Sequence, residues 1–376
     1  MALFSSMVFG PILAFSAKTV SANLRPHAIR KFPSKTAAFS SFFRQSSFES
    51  SIRGHHSNKM KSALFGSVAG EGKGTSIRDS LKEVSESGEF KRKESAWRNW
   101  ISKEDGAQFP PEAGRYHLYV AYACPWAHRT LMVRALKGLE DAISVTVVHP
   151  IWRKTKSDAD DHRGWVFGSP DGGTFKNTEG LGGPFPMMFP GNEPEPTFGS
   201  NSIRGLYERS GDTDGKYTVP ILWDKHTNTI VSNESSEIIR MLNSEFDAFA
   251  KSSLDLYPEG KRVAIDEANE WIYPNINNGV YRCGFATSQS AYDNAIDELT
   301  TSFDRVDKIL QNQRFIASDD KVTEADIRLF ATLLRFDEVY TVYFKTNSRS
   351  VATTPSILNY CREIFALPVV AETCNM

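Results

Sequence analysis

Cys124-Pro-Trp-Ala-His-Arg129 is the stretch of this chain whose residue types and spacing could do covalent chemistry. A β-rich alternating run, 116–122, leads into the thiol, and helical spacing from Trp126 to about Leu139 leads away from it. That context predicts Cys124 at a helix N-terminus, where unpaired backbone N–H groups and the helix dipole favour an anion. Pro125 fits a helix's first turn, where its missing N–H is not needed. His128 and Arg129 add donors or positive charge nearby. A free cysteine titrates near ~8.5, and this setting predicts a lowered value and a reactive thiolate. Cys283, Cys361 and Cys374 have no comparable setting and read as inert thiols. Four scattered cysteines make neither a disulfide framework nor a metal knuckle.

The spacing restricts the chemistry further. A dithiol site would need a second cysteine at position 127, and Ala127 stands there. A disulfide formed on Cys124 must then be resolved by an outside thiol, for which glutathione is the abundant candidate. Two other elements suit such a ligand. Val219-Pro220 precedes a strand, and a cis bond there would turn backbone polar groups toward the thiol. Glu234-Ser235 opens a predicted helix and offers donors to a carboxylate and an acid to an ammonium, as the γ-glutamyl end of glutathione requires.

The elements that must position these groups follow from the pattern. Strand 116–122, helix 126–139 and strand 143–148 form a βαβ unit with a parallel pair. Residues 150–215 read as a long insert punctured by Gly and Pro. Within it, Asp158-Ala-Asp160-Asp161-His162 has Arg163 where a calcium loop needs Gly, and reads as a solvated acidic loop. Segments 218–223 and 229–231 form a hairpin, and a helix follows over 234–242. From 260 onward the spacing is helical, with candidates at 262–276, 289–310, 323–344 and 356–365. Thr323 and Asp326 carry a capping-box start signal.

Organised structure is expected from about residue 115. Residues 1–60 hold eight Lys/Arg and one acid, Glu49, which reads as an organelle transit peptide, disordered and plastid-directed in preference to mitochondrial or cytoplasmic. Segment 61–114 reads as linker and N-terminal extension. Its Gly70-x-Gly72-x-Gly74 lacks phosphate-loop context, and its Lys91-Arg92-Lys93 run reads as solvated surface. The remaining 316 residues hold 36 Lys/Arg against 44 Asp/Glu, a poor electrostatic match for nucleic acid. No run approaches ~18 apolar residues, so no membrane span is expected.

From about residue 90 to 376 the sequence resembles the glutathionyl-hydroquinone reductases, the xi class of glutathione transferases. The resemblance rests on ordered segments that include Ala96-Trp-Arg-Asn-Trp100, the Cys124 motif, Val219-Pro-Ile-Leu-Trp-Asp224 and Ser232-Asn-Glu-Ser235. Asn277-Asn-Gly-Val-Tyr-Arg282, Thr323-Glu-Ala-Asp-Ile-Arg328 and Arg335-Phe-Asp337 continue it. It implies an α/β thioredoxin-like N-terminal domain at 115–250, an all-α C-terminal domain at 251–376 and a homodimer. It also implies glutathione as co-substrate, with no metal. Cys124 matches the family's nucleophile, and Trp165, Val219, Glu234 and Ser235 match its glutathione contacts. Lys216 stands where an Arg is often found, which keeps the charge but not the fork. Tyr281 matches a tyrosine that exchanges a proton with the hydroquinone, and Tyr340 one that helps depress the thiol pKa. The family continues beyond Met376 with a tail carrying a further tyrosine, so a shortened C-terminus is expected. The implied activity is reduction of glutathionyl-hydroquinones through a Cys124–glutathione mixed disulfide. A conjugating transferase, or a chain that binds without efficient turnover, are the other readings. Release of free quinol with oxidised glutathione separates them.

Overall fold

The computed structural model describes residues 83–156, 159–176 and 182–375. The expected transit segment, the Gly70 region and Asp158 lie outside them. The apolar run Tyr116–Val120 forms β1, and all five of its residues are buried. Both of its faces are covered, as for a strand sandwiched between layers. β2 (Ser144–Val147) lies parallel to β1, in register from His117 on Ser144 to Val120 on Val147. The crossover between them is α1 (Pro125–Lys137), which ends on Gly138 at φ 65°, a left-handed cap that closes onto Arg134 and Ala135 carbonyls.

After the insert come β3 (Ile221–Asp224) and β4 (Thr229–Ser232), an antiparallel hairpin. β3 pairs with the other edge of β1, giving the mixed order β2-β1-β3-β4. Asp224 is buried at the end of β3 and takes a two-pronged ion pair from Arg115, at 2.8 and 2.7 Å. The insert is not wholly loop. It holds two two-residue ladders, 153–154 with 163–164 and 174–175 with 185–186, and α2 (Ile203–Arg209). Its attachment to the sheet is the buried Glu195 carboxylate, which accepts from the Tyr119 hydroxyl at 2.6 Å and from backbone N–H groups of Thr197 and Phe198. Asp160 pairs with Arg204, so the acidic stretch is partly structural. α3 (Ser235–Ser244) completes this half.

The helical half contains α4 (Arg262–Ile272), α5 (Gly279–Phe285), α6 (Gln289–Leu310) and α7 (Glu324–Leu333). α8 (Pro355–Ala366) and α9 (Val370–Thr373) follow. At the head of α7 the Asp326 carboxylate accepts from the Thr323 N–H and hydroxyl, each at 2.8 Å. Two expected continuous helices are interrupted by single π turns, Tyr273–Asn277 and Phe336–Tyr340. Among the described residues no helix is long and apolar enough to cross a membrane.

Order begins earlier than residue 115. Segment 83–100 straps across both halves. The Gly88 carbonyl accepts from the Thr287 N–H, and Phe90 packs on Phe285. Further along, Trp97 exchanges backbone and side-chain bonds with Asn233, and Arg98 bridges Ser232 at the β4 edge.

Candidate active site

α1 is the element on which the site is built, because it packs on α3 on one side and on α7 on the other. Every residue from Pro125 to Val133 is buried, including His128 and Arg129. Burying a charged residue requires partners, and those partners define the site.

Cys124 is the N-cap of α1 and is 1% exposed. The Val219–Pro220 bond is cis, and the Val219 carbonyl accepts from the Cys124 Sγ at 3.5 Å. The expected lowering of the thiol's pKa is not found. Burial pushes the Cys124 thiol up. The backbone N–H groups of Ala127 and Trp126 and the guanidiniums of Arg92 and Arg335 oppose that rise without cancelling it. Full desolvation of a thiolate outweighs donors that the same burial makes stronger.

Of the two expected contributions, donor or positive charge, His128 supplies a donor and no charge. Burial, and then the Arg335 cation, hold its imidazole well below the ordinary value. Arg335 Nη1 lies 3.1 Å from His128 Nδ1, and an arginine can only donate. Nδ1 therefore accepts, and Nε2 carries the proton toward Thr373 Oγ1 at 3.0 Å. The same Arg335 donates to the Tyr122 and Ala331 carbonyls. It is the fixed cation beside the thiol.

Arg129 turns inward and donates to Asn277 Oδ1 at 2.8 Å and to the Ser235 hydroxyl at 3.4 Å. Burial, and then the neighbouring Arg328, lower its guanidinium to about 9, which leaves it protonated at neutral pH. It lies 4.5 Å from the centroid of the Trp126 ring, and Arg92 lies 4.7 Å from that centroid. Trp126 also stacks with Tyr281 at 6.0 Å.

Tyr281 and Tyr340 are brought together from the two interrupted helices. Tyr340 closes the second π turn, and Tyr281 lies in α5 just after the first. Such turns displace the residues that follow them and recur at functional sites. The rings are 5.9 Å apart, and both are buried. Neither hydroxyl has a partner of ordinary hydrogen-bond geometry among the described residues. Burial pushes both phenols up, Tyr340 to about 12, and a negative charge on Cys124 would push both further. Both therefore stay protonated. The hydroxyls reach only each other, and outside ordinary hydrogen-bond geometry, which leaves both able to bond a ligand.

The remaining expected residues divide. Glu234 caps α3. Burial opposes its ionisation, but the Ser236 N–H and hydroxyl, the Ser95 hydroxyl at 3.0 Å and Arg129 hold its carboxyl below the usual range. Ser235 sits beside it under Arg129. Lys216 is not free, because its ammonium is 2.5 Å from the Glu83 carboxylate and donates to the Lys93 carbonyl at 2.9 Å. Between Lys216, Ser95, Asn233 and Arg92 remains a cavity of about 10 Å³, room for about one water. Trp165 is buried edge-on to Trp152 at 5.4 Å, and its carbonyl accepts from Ile203, so its observed partners lie within the insert. Sequence reasoning gave no role to Trp126, Asn277 or Arg92. Arg92, read as solvated surface, is half-buried on Trp126. No local signal marks such long-range placement.

An open cleft of about 860 Å³ lies around Trp100, Lys137, Arg240, Lys251 and Tyr257, lined by none of the site residues above. Its cations are already engaged: Lys137 with Asp247, Arg240 with Glu324, Lys251 with Asp141, and Arg262 with the Tyr257 carbonyl and ring. It offers no comparable chemistry.

A thiol at a helix N-terminus beside a cis-proline turn, backed by an all-helical half, defines a glutathione transferase architecture. Residues 123–245 match the glutathione S-transferase N-terminal domain family and residues 289–363 the C-terminal domain family. The chain is 42% identical over 296 residues to the glutathionyl-hydroquinone reductase YqjG of Escherichia coli, covering 77% of this chain and 82% of that protein. It is 40% identical over 295 residues to the glutathionyl-hydroquinone reductase PcpF of Sphingobium chlorophenolicum, covering 78% and 83%. The crystal structure of the glutathione S-transferase Xi from Phanerochaete chrysosporium superposes with a TM-score of 0.67 at 45% identity, covering 78% of this chain and 86% of that one. The glutathione-bound structure of YqjG superposes at 0.65 and 42% identity, covering 74% and 84%. The chain belongs to the xi class of glutathione transferases.

Proposed function

We propose that this protein reduces glutathionyl-hydroquinones to hydroquinones with glutathione as co-substrate. The observation that carries the reading is the pair of buried, protonated phenols, Tyr281 and Tyr340, which face each other in the field of the Cys124 sulfur. Conjugating chemistry would instead need a hydroxyl that stabilises glutathione's own thiolate, and a cysteine in that place would repel it. The names of the YqjG and PcpF relatives support the same reaction.

The Cys124 sulfur bonds to the glutathione sulfur as the carbon–sulfur bond to the ring breaks. The ring carbon takes a proton, for which Tyr281 is the nearer phenol to Trp126 and hence to the thiol turn. A second glutathione thiolate then attacks the mixed disulfide, releasing oxidised glutathione and the free Cys124 thiolate. In sum one glutathione thiol and the thioether sulfur end as the disulfide, and the ring carbon–sulfur bond is reduced to carbon–hydrogen, with Cys124 regenerated. Glu234 receives the ammonium of glutathione, Ser235 its carboxylate and Val219 its backbone, with Lys216 and Trp165 as further contacts. No metal is needed.

The test is a turnover assay with a glutathionyl-hydroquinone and glutathione. Equal amounts of free hydroquinone and oxidised glutathione are expected. Conjugate formation from quinone and glutathione without oxidised glutathione would overturn the reading. We further propose plastid import directed by residues 1–60, supported by their acid-poor, basic composition, and a homodimer. A fluorescent fusion of the leader and light scattering of the purified chain test these two.

A further inference from the structure

We propose that Arg92, carried on the N-terminal strap, is the positioning cation that completes the Cys124 thiolate site. The inference rests on the reading of Cys124 as nucleophile and adds a residue from outside both matched domains.

The strap is fixed on either side of Arg92. Upstream, the Ser288 hydroxyl donates to the Ser87 carbonyl at 2.7 Å, and Phe90 packs on Phe285 at 5.1 Å. Downstream, the Lys93 carbonyl accepts from Lys216, the Ser95 hydroxyl donates to Glu234, and the Trp97 carbonyl accepts from the Asn233 N–H at 3.0 Å. Between these anchors the Arg92 guanidinium is held 4.7 Å from the centroid of Trp126, two residues after the thiol. Its neighbours on the strap do not share this placement. Lys93 is exposed and paired with Asp214, and Lys91 is exposed. Among the described residues the Arg92 guanidinium has neither an ion pair nor a hydrogen bond, whereas Arg335 and Arg129 are held by hydrogen bonds and Lys216 by Glu83.

The other charged and titratable groups around the sulfur are accounted for. Arg335 is bound to His128 and two carbonyls. Arg129 is bound to Asn277 and faces Glu234. His128 is neutral, and Tyr281 and Tyr340 are protonated phenols. Arg92 acts electrostatically on Cys124, Tyr281, Arg129 and Lys216 alike. It is thus an uncommitted cation held beside a fixed site.

The experiment alkylates Cys124 with neutral iodoacetamide across pH 5–10 in the full chain, with the site confirmed by mass spectrometry. Wild type, Arg92→Met and Arg92→Lys are compared. Arg92→Met keeps much of the side chain's bulk and removes the charge. Its alkylation at pH 7 is expected to slow by about tenfold and its rate profile to move to higher pH, because less thiolate is present at each pH. Arg92→Lys should recover most of the rate. If Arg92 only holds the strap down, Arg92→Met would expose the thiol and speed alkylation at every pH, which overturns the proposal. An unchanged pH profile overturns it as well. Because alkylation needs no glutathionyl-hydroquinone, a chain that lacks reductase turnover but shows the Arg92 shift would sink the proposed reaction and leave this inference standing.

Discussion

Arg129 of the thiol helix donates to Asn277, the last residue of the first π turn, at 2.8 Å. Asn277 passes the interaction on, donating to the Arg328 carbonyl at 3.0 Å and to the Thr332 hydroxyl at 2.9 Å in α7. One buried amide thus joins the helix capped by Cys124 to the turn that leads into the Tyr281 helix and to α7, which leads into the Tyr340 turn. Asn277→Ala should lower stability by about 2–3 kcal/mol, the range for removing a hydrogen bond to a buried charge. Urea denaturation measures it. A loss below about half a kcal/mol would mean that Arg129 finds another partner and that Asn277 is not the link.

Cys124→Ser should retain glutathione binding and lose turnover, because a hydroxyl forms no mixed disulfide. Mass spectrometry of wild type treated with oxidised glutathione should show one adduct, on Cys124. Burial pushes the Cys283 and Cys361 thiols up, as it does Cys124, but neither has the helix N-terminal donors or the Arg92 and Arg335 cations that oppose the rise at Cys124, so neither should compete. An adduct on either one would transfer the nucleophile's role.

Tyr281→Phe should slow hydroquinone release by about 10²–10⁴-fold, the usual contribution of a proton-transfer group. Glutathione affinity should change little, since Glu234 and Ser235 lie on a different element. Equal losses in affinity and rate would show that the ring serves packing against Trp126 and Phe344.

Gly284→Ala tests the close approach behind the phenols. A Cβ at Gly284 would overlap the Phe344 ring, which packs on both Tyr281 and Tyr340. Overpacking of this kind costs about 1–3 kcal/mol. The melting temperature should fall, and turnover should fall more than the stability loss explains. Unchanged stability would show that Phe344 can swing clear.

His117 sets a pH dependence of stability. Burial, and then Lys225, lower its imidazole to about 4, and the ring lies between the hydroxyls of Ser144 and Thr146. As pH falls through ~6.5 the unfolded chain takes up a proton that the folded chain refuses until about 4. Stability from this group is therefore complete above pH ~6.5 and is lost toward pH 4, by about 3 kcal/mol in total. His117→Gln should flatten the slope of unfolding free energy against pH across that window. An unaltered slope would assign the dependence to His128 and His149, whose values burial also lowers.

The local order of elements was legible from residue types. Alternation over 116–120, the Pro at the start of α1, Gly138 at its end and the Thr323–Asp326 box each specify a structure within a few residues of themselves, because strand pairing and helix capping are short-range. The same holds for the parallel β1–β2 pair, since a helix between two strands leaves little else. The resemblance carried Cys124, Val219, Glu234, Ser235, Tyr281 and Tyr340 to one neighbourhood, and the xi-class membership agrees with it.

What tertiary structure alone decided was the electrostatics. Sequence placed a cysteine at a helix N-terminus and predicted a low pKa; the fold buried it, and burial reversed the direction. Sequence offered His128 as a donor or a charge; burial and Arg335, more than two hundred residues away, left it neutral, with Nδ1 accepting and Nε2 donating. The run at Lys91 to Lys93 looks uniform, yet only Arg92 lands on Trp126, and Lys216 is engaged by Glu83 across the strap. Desolvation and ion pairing depend on which side chains meet in three dimensions, and no window of neighbouring residues contains that information.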